Sequence, residues 1–462
     1  MISFDHINDY DWLYQFLNNY FRWMHNKVYY KEIQVIGKEN LPPKGYPIFA
    51  ISNHHNAVMD PLAMLYMYPD HRQPVFIARG DIFKKNDFIA KLLRFLKILP
   101  TFRTRDGDRE DVKSNLSTFD LAARILNEGG TLTMFPEAGH QQGKYFATFK
   151  KGFPRIAFRA AELSEYQLDF KIVPMYIYYT EYFNMGAKQV IIIGEPFAFN
   201  EFYELYKAEP NNAYLALNAK AREAVRSMGV DVTDHEHYAQ HDMVMTVCRT
   251  RTIARHFQNP ADTPDWNPKH PLSALLADKE LVEVLDGIRE NELPRFAQLM
   301  EDAAEYRNGL EQLNLRDWEI EKPVTAGQVL LRGLLLLVSL PLFLFGFINN
   351  FVPFNTCWLL TRNLKDRFFS SSINFVFSAV ITFPLCYIAL YIIVLCLTNW
   401  WIALLYVLLS ALLMPFQYRW KRAWIKFVSA CRFRRYQRSG NPTLARLKEL
   451  RAKILSIVPV SD

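Results

Sequence analysis

The chain of 462 residues is long enough for two or three domains, each with its own core. Half of the residues are hydrophobic, 15% are aromatic and the net charge is +7, and the basic residues gather beside an apolar region near the C-terminus. This arrangement favours a lipid partner and argues against a nucleic-acid partner, and five cysteines without CxxC spacing indicate neither a disulfide framework nor a zinc site.

Residues 1–27 contain the stretch WLYQFLNNYFRW, in which apolar and aromatic residues recur at helical spacing. This pattern predicts an amphipathic helix at a membrane interface, with a helix packed on the domain core as the alternative. No basic segment precedes an apolar core, so the N-terminus does not read as a secretory signal. The main domain is therefore expected in the cytoplasm.

Residues 28–200 alternate between β-rich runs and helical patterns. The runs are YYKEIQVI, YPIFAIS, QPVFIA, GTLTMF, KIVPMYIYY and KQVIIIG, and the helical stretches are DFIAKLLRFLKIL, DVKSNLSTFDLAARILNEG and FPRIAFRAAEL. The alternation predicts an α/β domain with a mainly parallel sheet flanked by helices. Ligands of such folds bind beyond the carboxyl ends of the strands.

Residues 201–322 have a polar, helical pattern that predicts a helical segment. Within it, His237 and His241 lie one helical turn apart, which is the spacing of a two-histidine metal site. The other ligands of a zinc motif are not arranged around them, so a solvated helix face is the preferred interpretation. No metal is expected in this protein.

Residues 323–438 are predicted to be a membrane region, because residues 368–418 carry no charged side chain. Two spans are expected at about 373–397 and 400–416, forming a hairpin, while 333–348 is shorter and is interpreted as a re-entrant or interfacial segment. Basic residues flank both open ends of the hairpin, so both ends should face the cytoplasm. Residues 439–462 are predicted to be a basic tail.

The stretch SNHHNAVMDPLA offers a candidate proton-transfer pair, His55 and Asp60. A histidine can take a proton at neutral pH, and a nearby carboxylate orients its ring and stabilises the resulting imidazolium. No serine or cysteine nucleophile is evident, so the proton is expected to come from a substrate hydroxyl that attacks an electrophile such as a thioester. The alternative is structural, since Asp60 followed by Pro61 would also start a helix.

Four blocks of this domain resemble those of the glycerolipid acyltransferases, which make lysophosphatidic and phosphatidic acids. They are Asn53 to Asp60, the stretch LPTFRTRDG with Arg103 and Arg105, Phe135 to His140, and Ile172 to Pro174. The third block, FPEAGH, lacks the usual threonine and arginine and is closer to the FPEGG-type variant of glycerol-3-phosphate and dihydroxyacetone-phosphate acyltransferases. This departure leaves the acceptor open, and Lys150, Lys151 or His140 are candidates to replace the arginine.

The resemblance implies a role for each block. His55 would be the catalytic base and Asp60 would align it, while Arg103 or Arg105 would hold the phosphate of the acceptor. Glu137 would bind the acceptor's glycerol hydroxyl or orient one of these arginines. Gly139 and Pro174 belong to the substrate-binding blocks. Neither a metal nor any other cofactor is implied.

The function implied by the resemblance is that of an integral membrane acyltransferase of phospholipid biosynthesis with its catalytic domain on the cytoplasmic face. The donor would be acyl-CoA or acyl carrier protein, and the acceptor glycerol 3-phosphate or the lysophospholipid 1-acylglycerol 3-phosphate. The other expected partners are membrane lipids. One alternative is the same chemistry on another lysolipid, such as a lyso-aminolipid or ornithine lipid; another is a non-catalytic membrane lipid-binding protein.

Overall fold

A computed structural model of the chain describes residues 4, 6–68, 70–84, 86–101, 109–257 and 263–458. The chain divides into two compact units, one comprising Met1–Asp231 with His270–Leu275 and the other Val232–Lys269 with Leu276–Asp462. The first unit extends past the boundary expected near residue 200, because two further helices pack on the sheet domain.

The first unit is built on a seven-stranded sheet. Its strands are β1 (Glu32–Ile36), β2 (Ile48–Ser52), β3 (Val75–Arg79), β4 (Ile98–Thr101), β5 (Thr131–Met134), β6 (Lys171–Tyr179) and β7 (Lys188–Ile193). Their order is β1-β7-β6-β2-β5-β3-β4, and every neighbouring pair is parallel except β6 and β7. The predicted α/β fold with a mainly parallel sheet is confirmed.

Seven helices accompany the sheet in the described part of the first unit. They are α1 (Trp12–Trp23), α2 (Met59–Met67), α3 (Asp87–Phe95), α4 (Arg109–Asn127), α5 (Gly152–Leu163), α6 (Tyr203–Ala208) and α7 (Pro210–Arg226). β2 lies near the middle of the sheet, and all five of its residues are buried, as expected for a central strand covered on both faces. The loop between β2 and α2 therefore begins in a rigid core.

Strand β4 corrects the prediction of one helix over DFIAKLLRFLKIL. The helix α3 ends at Phe95, and Lys97 adopts a left-handed conformation with φ of 57°. The Lys97 ammonium group then donates hydrogen bonds to the carbonyls of Ile7, at 2.8 Å, and Asp9, at 2.5 Å. The following residues pair with β3 because a left-handed residue ends the helix and redirects the chain.

The helix α1 has two different faces. Asp11 caps its start by accepting hydrogen bonds from the backbone of Leu13 and Tyr14, and Tyr14 is buried against Phe95. The opposite face exposes large aromatic side chains, with Trp12 73% and Phe16 64% exposed. The helix therefore packs on the unit through one face and presents an aromatic face to its surroundings.

The second unit is helical throughout its described residues. Its helices are α8 (Tyr238–His256), α9 (Pro271–Asn291, whose first residues group with the first unit), α10 (Leu293–Leu313), α11 (Asp317–Glu321), α12 (Ala326–Val338), α13 (Leu340–Thr361), α14 (Arg367–Phe377), α15 (Phe383–Leu397), α16 (Trp400–Arg438) and α17 (Pro442–Leu455). A π-helical turn over Ser378–Thr382 joins α14 to α15. The His241 side chain is buried, contrary to the expected solvated face, and lies 3.5 Å from Asp234.

Three helical stretches of the described chain are long and apolar enough to cross a membrane, namely Leu340–Leu359, Arg367–Leu397 and Trp400–Arg438. The two predicted spans fall within the second and third of these. Asn399 caps α16 by accepting a hydrogen bond from the Ile402 backbone at 3.1 Å, which makes the predicted turn between them. The segment predicted as a basic tail contains α17, whose Leu444, Leu447 and Leu450 are buried in the second unit.

Candidate active site

The loop between β2 and α2 carries the predicted site residues. Its start is held by Asn53, whose side-chain amide donates to the carbonyl of Ile177 in β6 at 2.9 Å and accepts from the Ile177 N–H at 2.8 Å. Ala57 adopts a left-handed conformation with φ of 44°, which turns the chain into α2. The loop thus lies at the carboxyl end of a central parallel strand, as the sequence predicts for a ligand site.

Asp60 lies at the centre of the loop and is fully buried. One carboxylate oxygen, Oδ2, accepts hydrogen bonds from the backbone N–H groups of His55 at 2.8 Å and Asn56 at 2.7 Å. The other, Oδ1, accepts the Tyr179 hydroxyl at 2.6 Å. Burial alone would raise the pKa of Asp60, but hydrogen bonds from His54, Tyr179 and Asn56 outweigh it, so the pKa lies below its usual value.

The histidine ring that contacts Asp60 is His54. Its Nδ1 lies 2.7 Å from Asp60 Oδ2, and because an ionised carboxylate can only accept, Nδ1 carries the proton. The second ring nitrogen, Nε2, makes no hydrogen bond to any described residue and can accept a proton. The ring stacks on Phe135 with centroids 4.5 Å apart, and the side chain is 17% exposed. His54 therefore has the geometry of a general base oriented by a carboxylate.

The His55 ring is buried and points to different partners. Nδ1 accepts a hydrogen bond from the Asn53 amide at 3.1 Å, so Nε2 carries the proton and donates it to the carbonyl of Tyr145 at 3.1 Å. The predicted pairing of the His55 ring with Asp60 is wrong, because only the His55 backbone reaches that carboxylate. Both ring nitrogens hold the loop in place, which leaves neither for a substrate.

The buried His55 ring predicts acid sensitivity of the fold. Desolvation lowers its pKa from 6.5 to about 4, so the unfolded chain takes up this proton first as the pH falls. Stability should therefore decrease between pH 6.5 and 4, by roughly 3 kcal/mol for this group. We expect the thermal unfolding midpoint to fall less over this window in His55→Asn, which keeps an acceptor for Asn53, than in the unmodified protein. Equal slopes in scanning fluorimetry would contradict the assignment.

Glu137 follows β5 and holds the backbone of the adjacent loops. Its carboxyl oxygens accept the N–H groups of His54 and Ala147, each at 3.2 Å, and the His54 carbonyl accepts from the Gln141 N–H at 2.7 Å. Burial raises the pKa of Glu137 to about 8, although these hydrogen bonds act in the opposite direction. The loop after β5 therefore forms hydrogen bonds with both the N–H and the carbonyl of His54.

Of the remaining predicted site residues, one lies in the loop that contacts His54, one lies in the sheet and two lie outside the described residues. The Gly139 carbonyl accepts a hydrogen bond from the Gln141 side-chain amide at 2.9 Å, in the loop after β5 that contacts His54. Pro174 lies within β6 opposite Ile51, so it belongs to the sheet. Arg103 and Arg105 fall in residues 102–108, outside the described residues.

The three candidates to replace the missing arginine, His140, Lys150 and Lys151, make different contacts. The ring of His140 lies edge-on to that of His54, with centroids 5.7 Å apart. The Lys151 ammonium group donates to the Asn211 side chain at 3.3 Å, and the backbone N–H of Lys150 donates to the Pro136 carbonyl at 2.8 Å. Only His140 borders the His54 ring among these three.

Tyr179 is a site residue that the sequence analysis missed. It lies at the end of β6, which is parallel to β2 and continues past it, so the rule that carboxyl ends of neighbouring strands meet could have identified it. The side chain is fully buried, and its hydroxyl donates to Oδ1, the Asp60 carboxylate oxygen that does not contact the His54 ring. It therefore helps to keep Asp60 ionised and fixed.

Removal of the Tyr179 hydroxyl should shift the pH dependence of the site. In Tyr179→Phe one oxygen of a buried carboxylate loses its donor, so protonation of Asp60 becomes easier and the acid limb of the kcat profile should move to higher pH. We expect kcat at neutral pH to fall about tenfold. Tyr178→Phe, a change at the neighbouring buried tyrosine, is the matched control. A Tyr179→Phe profile that superimposes on the unmodified one would remove Tyr179 from the site.

Comparisons with known proteins match the part of the chain that carries the loop after β2. The Acyltransferase family model matches residues 32–178, which include the loop after β2, the loop after β5 and β6 up to Tyr178. Similar curated proteins include a 1-acyl-sn-glycerol-3-phosphate acyltransferase of Borreliella burgdorferi, 26% identical over 35% of this chain and 56% of that protein. Another, of Chlamydomonas reinhardtii, bears the same name and is 27% identical over 31% of this chain and 40% of that protein.

The chain spans about half the length of the curated relatives it matches. Among solved structures, a crystal structure of the 1-acyl-sn-glycerophosphate (LPA) acyltransferase from Thermotoga maritima is similar over 46% of this chain and 77% of that one, with 19% identity and a TM-score of 0.32. Residues 32–178 form an acyltransferase domain, and the names of its relatives support a glycerolipid acyltransferase family for that domain.

Proposed function

We propose that the protein transfers a fatty acyl group from an acyl thioester, acyl-CoA or acyl carrier protein, to the hydroxyl of glycerol 3-phosphate or 1-acylglycerol 3-phosphate. The observation that carries the proposal is the His54–Asp60 pair at the carboxyl end of β2, within the matched domain. The names of the curated relatives support a glycerophosphate acceptor. The reaction would be a step of phospholipid biosynthesis.

In the proposed reaction His54 is the general base. Its Nε2 takes the proton of the acceptor hydroxyl while the hydroxyl oxygen attacks the thioester carbonyl, and Asp60 stabilises the imidazolium that forms. Collapse of the tetrahedral intermediate breaks the carbon–sulfur bond, and the imidazolium returns the proton to the departing thiolate. The products are an ester and a free thiol, and no enzyme side chain becomes acylated.

Glu137 is proposed to act through His54. Because both of its carboxyl oxygens accept backbone N–H groups, it is better suited to position the His54 peptide than to bind the acceptor's glycerol hydroxyl, the role that the resemblance implies. Arg103 or Arg105 remains the proposed phosphate contact, on the sequence resemblance alone. His140 is a further candidate because its ring borders His54.

The protein is proposed to work at a membrane, since its acceptor and product are lipids or lipid precursors. The three apolar stretches and the exposed aromatic face of α1 support this location. The basic residues that flank the apolar hairpin support a cytoplasmic orientation of its open end. We propose that the catalytic unit faces the cytoplasm as well.

An acceptor panel tests the proposed function. The full chain, purified in detergent and returned to vesicles, is given labelled acyl-CoA or acyl carrier protein with glycerol 3-phosphate, 1-acylglycerol 3-phosphate or a phosphate-free lysolipid such as lyso-ornithine lipid. We expect acylated product with a glycerophosphate acceptor, and none from vesicles without protein, which serve as the blank.

The panel also separates the alternatives. Product with the phosphate-free acceptor alone would overturn the proposed acceptor and favour the other lysolipids, which the missing arginine of FPEAGH leaves as alternatives. No product above the blank with any pair of donor and acceptor would overturn the enzymatic proposal and favour a lipid-binding protein.

A further inference from the structure

The segments before and after the apolar region lie against each other within the second unit. Arg446 of α17 donates to the Glu305 carboxylate of α10 at 2.7 Å, and Leu447 covers Gly309, where an added Cβ would come within 2.7 Å of it. Arg451 of α17 donates to Asp317 of α11 at 2.8 Å. The chain therefore enters and leaves the apolar region on the same side, which requires an even number of crossings.

Two crossings are supplied by the hairpin of α14–α15 and α16. These two helical stretches are joined by a turn at Thr398 and Asn399. Along α16, Trp420 lies twenty residues from Trp400, about 30 Å of helix, which equals the thickness of the bilayer hydrocarbon. Along the other arm, Ser370 lies about 40 Å from the turn. Both residues therefore mark the open end of the hairpin.

The helix α13 begins at this open end. Just before it, the hydroxyl of Ser339 accepts a hydrogen bond from the Trp420 indole at 3.1 Å. Phe343, in its first turn, stacks on Trp420 with ring centroids 3.9 Å apart. The start of α13 is thus level with the base of the hairpin.

The middle of α13 reaches halfway along the hairpin. The fully buried Asn350 accepts the Tyr387 hydroxyl at 2.8 Å and donates to the carbonyl of Ser410 at 3.1 Å. Tyr387 lies ten residues before the end of α15, and Ser410 lies ten residues after the start of α16, which is about 15 Å of helix in each case. Asn350 therefore lies near the middle of the hydrocarbon, with its amide satisfied by both arms.

The second half of α13 returns towards the open end. The carbonyl of Pro353 accepts the Thr382 hydroxyl at 3.3 Å, and the carbonyl of Thr361 accepts the Ser370 hydroxyl at 3.3 Å. From Asn350 to Thr361, the hydrogen-bond partners of α13 therefore lie at increasing distance from the turn. Pro353 lies inside the helix between these contacts, and a proline ring removes a backbone donor and displaces the preceding turn, which bends a helix.

We infer that α13 is a re-entrant helix whose two ends lie at the same face of the membrane, so the apolar region crosses the bilayer twice. Its exposed apolar side chains, among them Leu344, Ile348 and Val352, contact the lipids of one leaflet only. The arrangement places Arg362, Lys365 and Arg367 on the same side as the basic residues of α16, as expected when positive charge stays on one side.

Cysteine accessibility tests this topology. In a chain whose five native cysteines are replaced, single cysteines are introduced as Asn363→Cys after α13, Thr398→Cys at the turn and Ser439→Cys after α16, all at exposed positions. Sealed vesicles of both orientations are treated with a membrane-impermeant maleimide. We expect Asn363→Cys and Ser439→Cys to react from the same side and Thr398→Cys from the opposite side.

Three outcomes would overturn the inference. They are reaction of Asn363→Cys from the side of Thr398→Cys, reaction of all three from one side, and reaction of Asn363→Cys in detergent but from neither side of sealed vesicles.

If replacing the buried Cys248 and Cys357 disturbs folding, Asn363→Cys is added to the otherwise unchanged chain and labelled peptides are mapped by mass spectrometry. The exposed Cys431 then marks the basic end of α16.

Discussion

Replacement of His54 by alanine should lower kcat about a thousandfold while the protein stays folded. The substitution removes the ring nitrogen that makes no hydrogen bond to any described residue, on a ring that Asp60 orients, and a positioned general base contributes on the order of a hundred to ten thousand in rate. The ring is partly exposed, so its loss opens no large cavity. The measurement is kcat with the best acceptor of the panel, together with the thermal unfolding midpoint.

The neighbouring histidine provides the comparison. We expect His55→Asn to keep kcat within about tenfold of the unmodified protein, because the His55 ring nitrogens bond to Asn53 and Tyr145 rather than to the Asp60 carboxylate. A folded His55→Asn that is inactive, with His54→Ala still active, would restore His55 as the base that the motif spacing indicates.

Conversion of Asp60 to asparagine should lower kcat by a similar factor, because it removes the negative charge and keeps the hydrogen bonds. Asparagine can accept the three hydrogen bonds at Oδ2 and donate to the Tyr179 oxygen, so the bonding pattern survives while the negative charge is lost. A contact between opposite charges at an effective dielectric constant near 20 is worth about 4 kcal/mol, or about a thousandfold in rate. We expect kcat to fall by that order, with a much smaller change in the unfolding midpoint.

Two further variants separate charge from structure at this position. Asp60→Ala leaves the buried N–H groups of His55 and Asn56 without their acceptor, so it should lower the unfolding midpoint more than Asp60→Asn does. Asp70→Asn, at a carboxylate paired with Arg72 near the surface, should leave kcat unchanged. An Asp60→Asn enzyme that keeps more than a tenth of the normal kcat would show that the charge does not stabilise an imidazolium.

Much of the fold was predictable because local patterns determine it. Six of the seven strands coincide with runs of β-branched and aromatic residues, and the apolar hairpin is indicated by an uncharged stretch with a polar turn. β4 was hidden because its residues also continue the helical spacing of α3. Only the left-handed Lys97, held by carbonyls from the N-terminal segment, ends that helix.

The sequence by itself identified the loop of the site and its residue types, since the histidines, Asp60 and Glu137 stand in blocks that resemble those of one family. It did not decide which imidazole bonds the carboxylate. That choice depends on the path of the backbone after β2, which Asn53, Glu137 and Gln141 set through contacts with residues far along the chain. Spacing along the chain cannot reveal such contacts.

Two other features were decided by tertiary structure alone. Tyr179 reaches Asp60 from the end of a neighbouring strand. The helix α13 has the length and composition of a crossing helix, and the contacts with Ser370 and Trp420 at its two ends are the basis for the inference that it returns to the face where it began. Periodicity and composition report how each segment meets its surroundings, so they predict elements and the membrane region. The direction of a ring or the course of a helix in the bilayer depends on hydrogen bonds between distant residues, which exist only once the chain has folded.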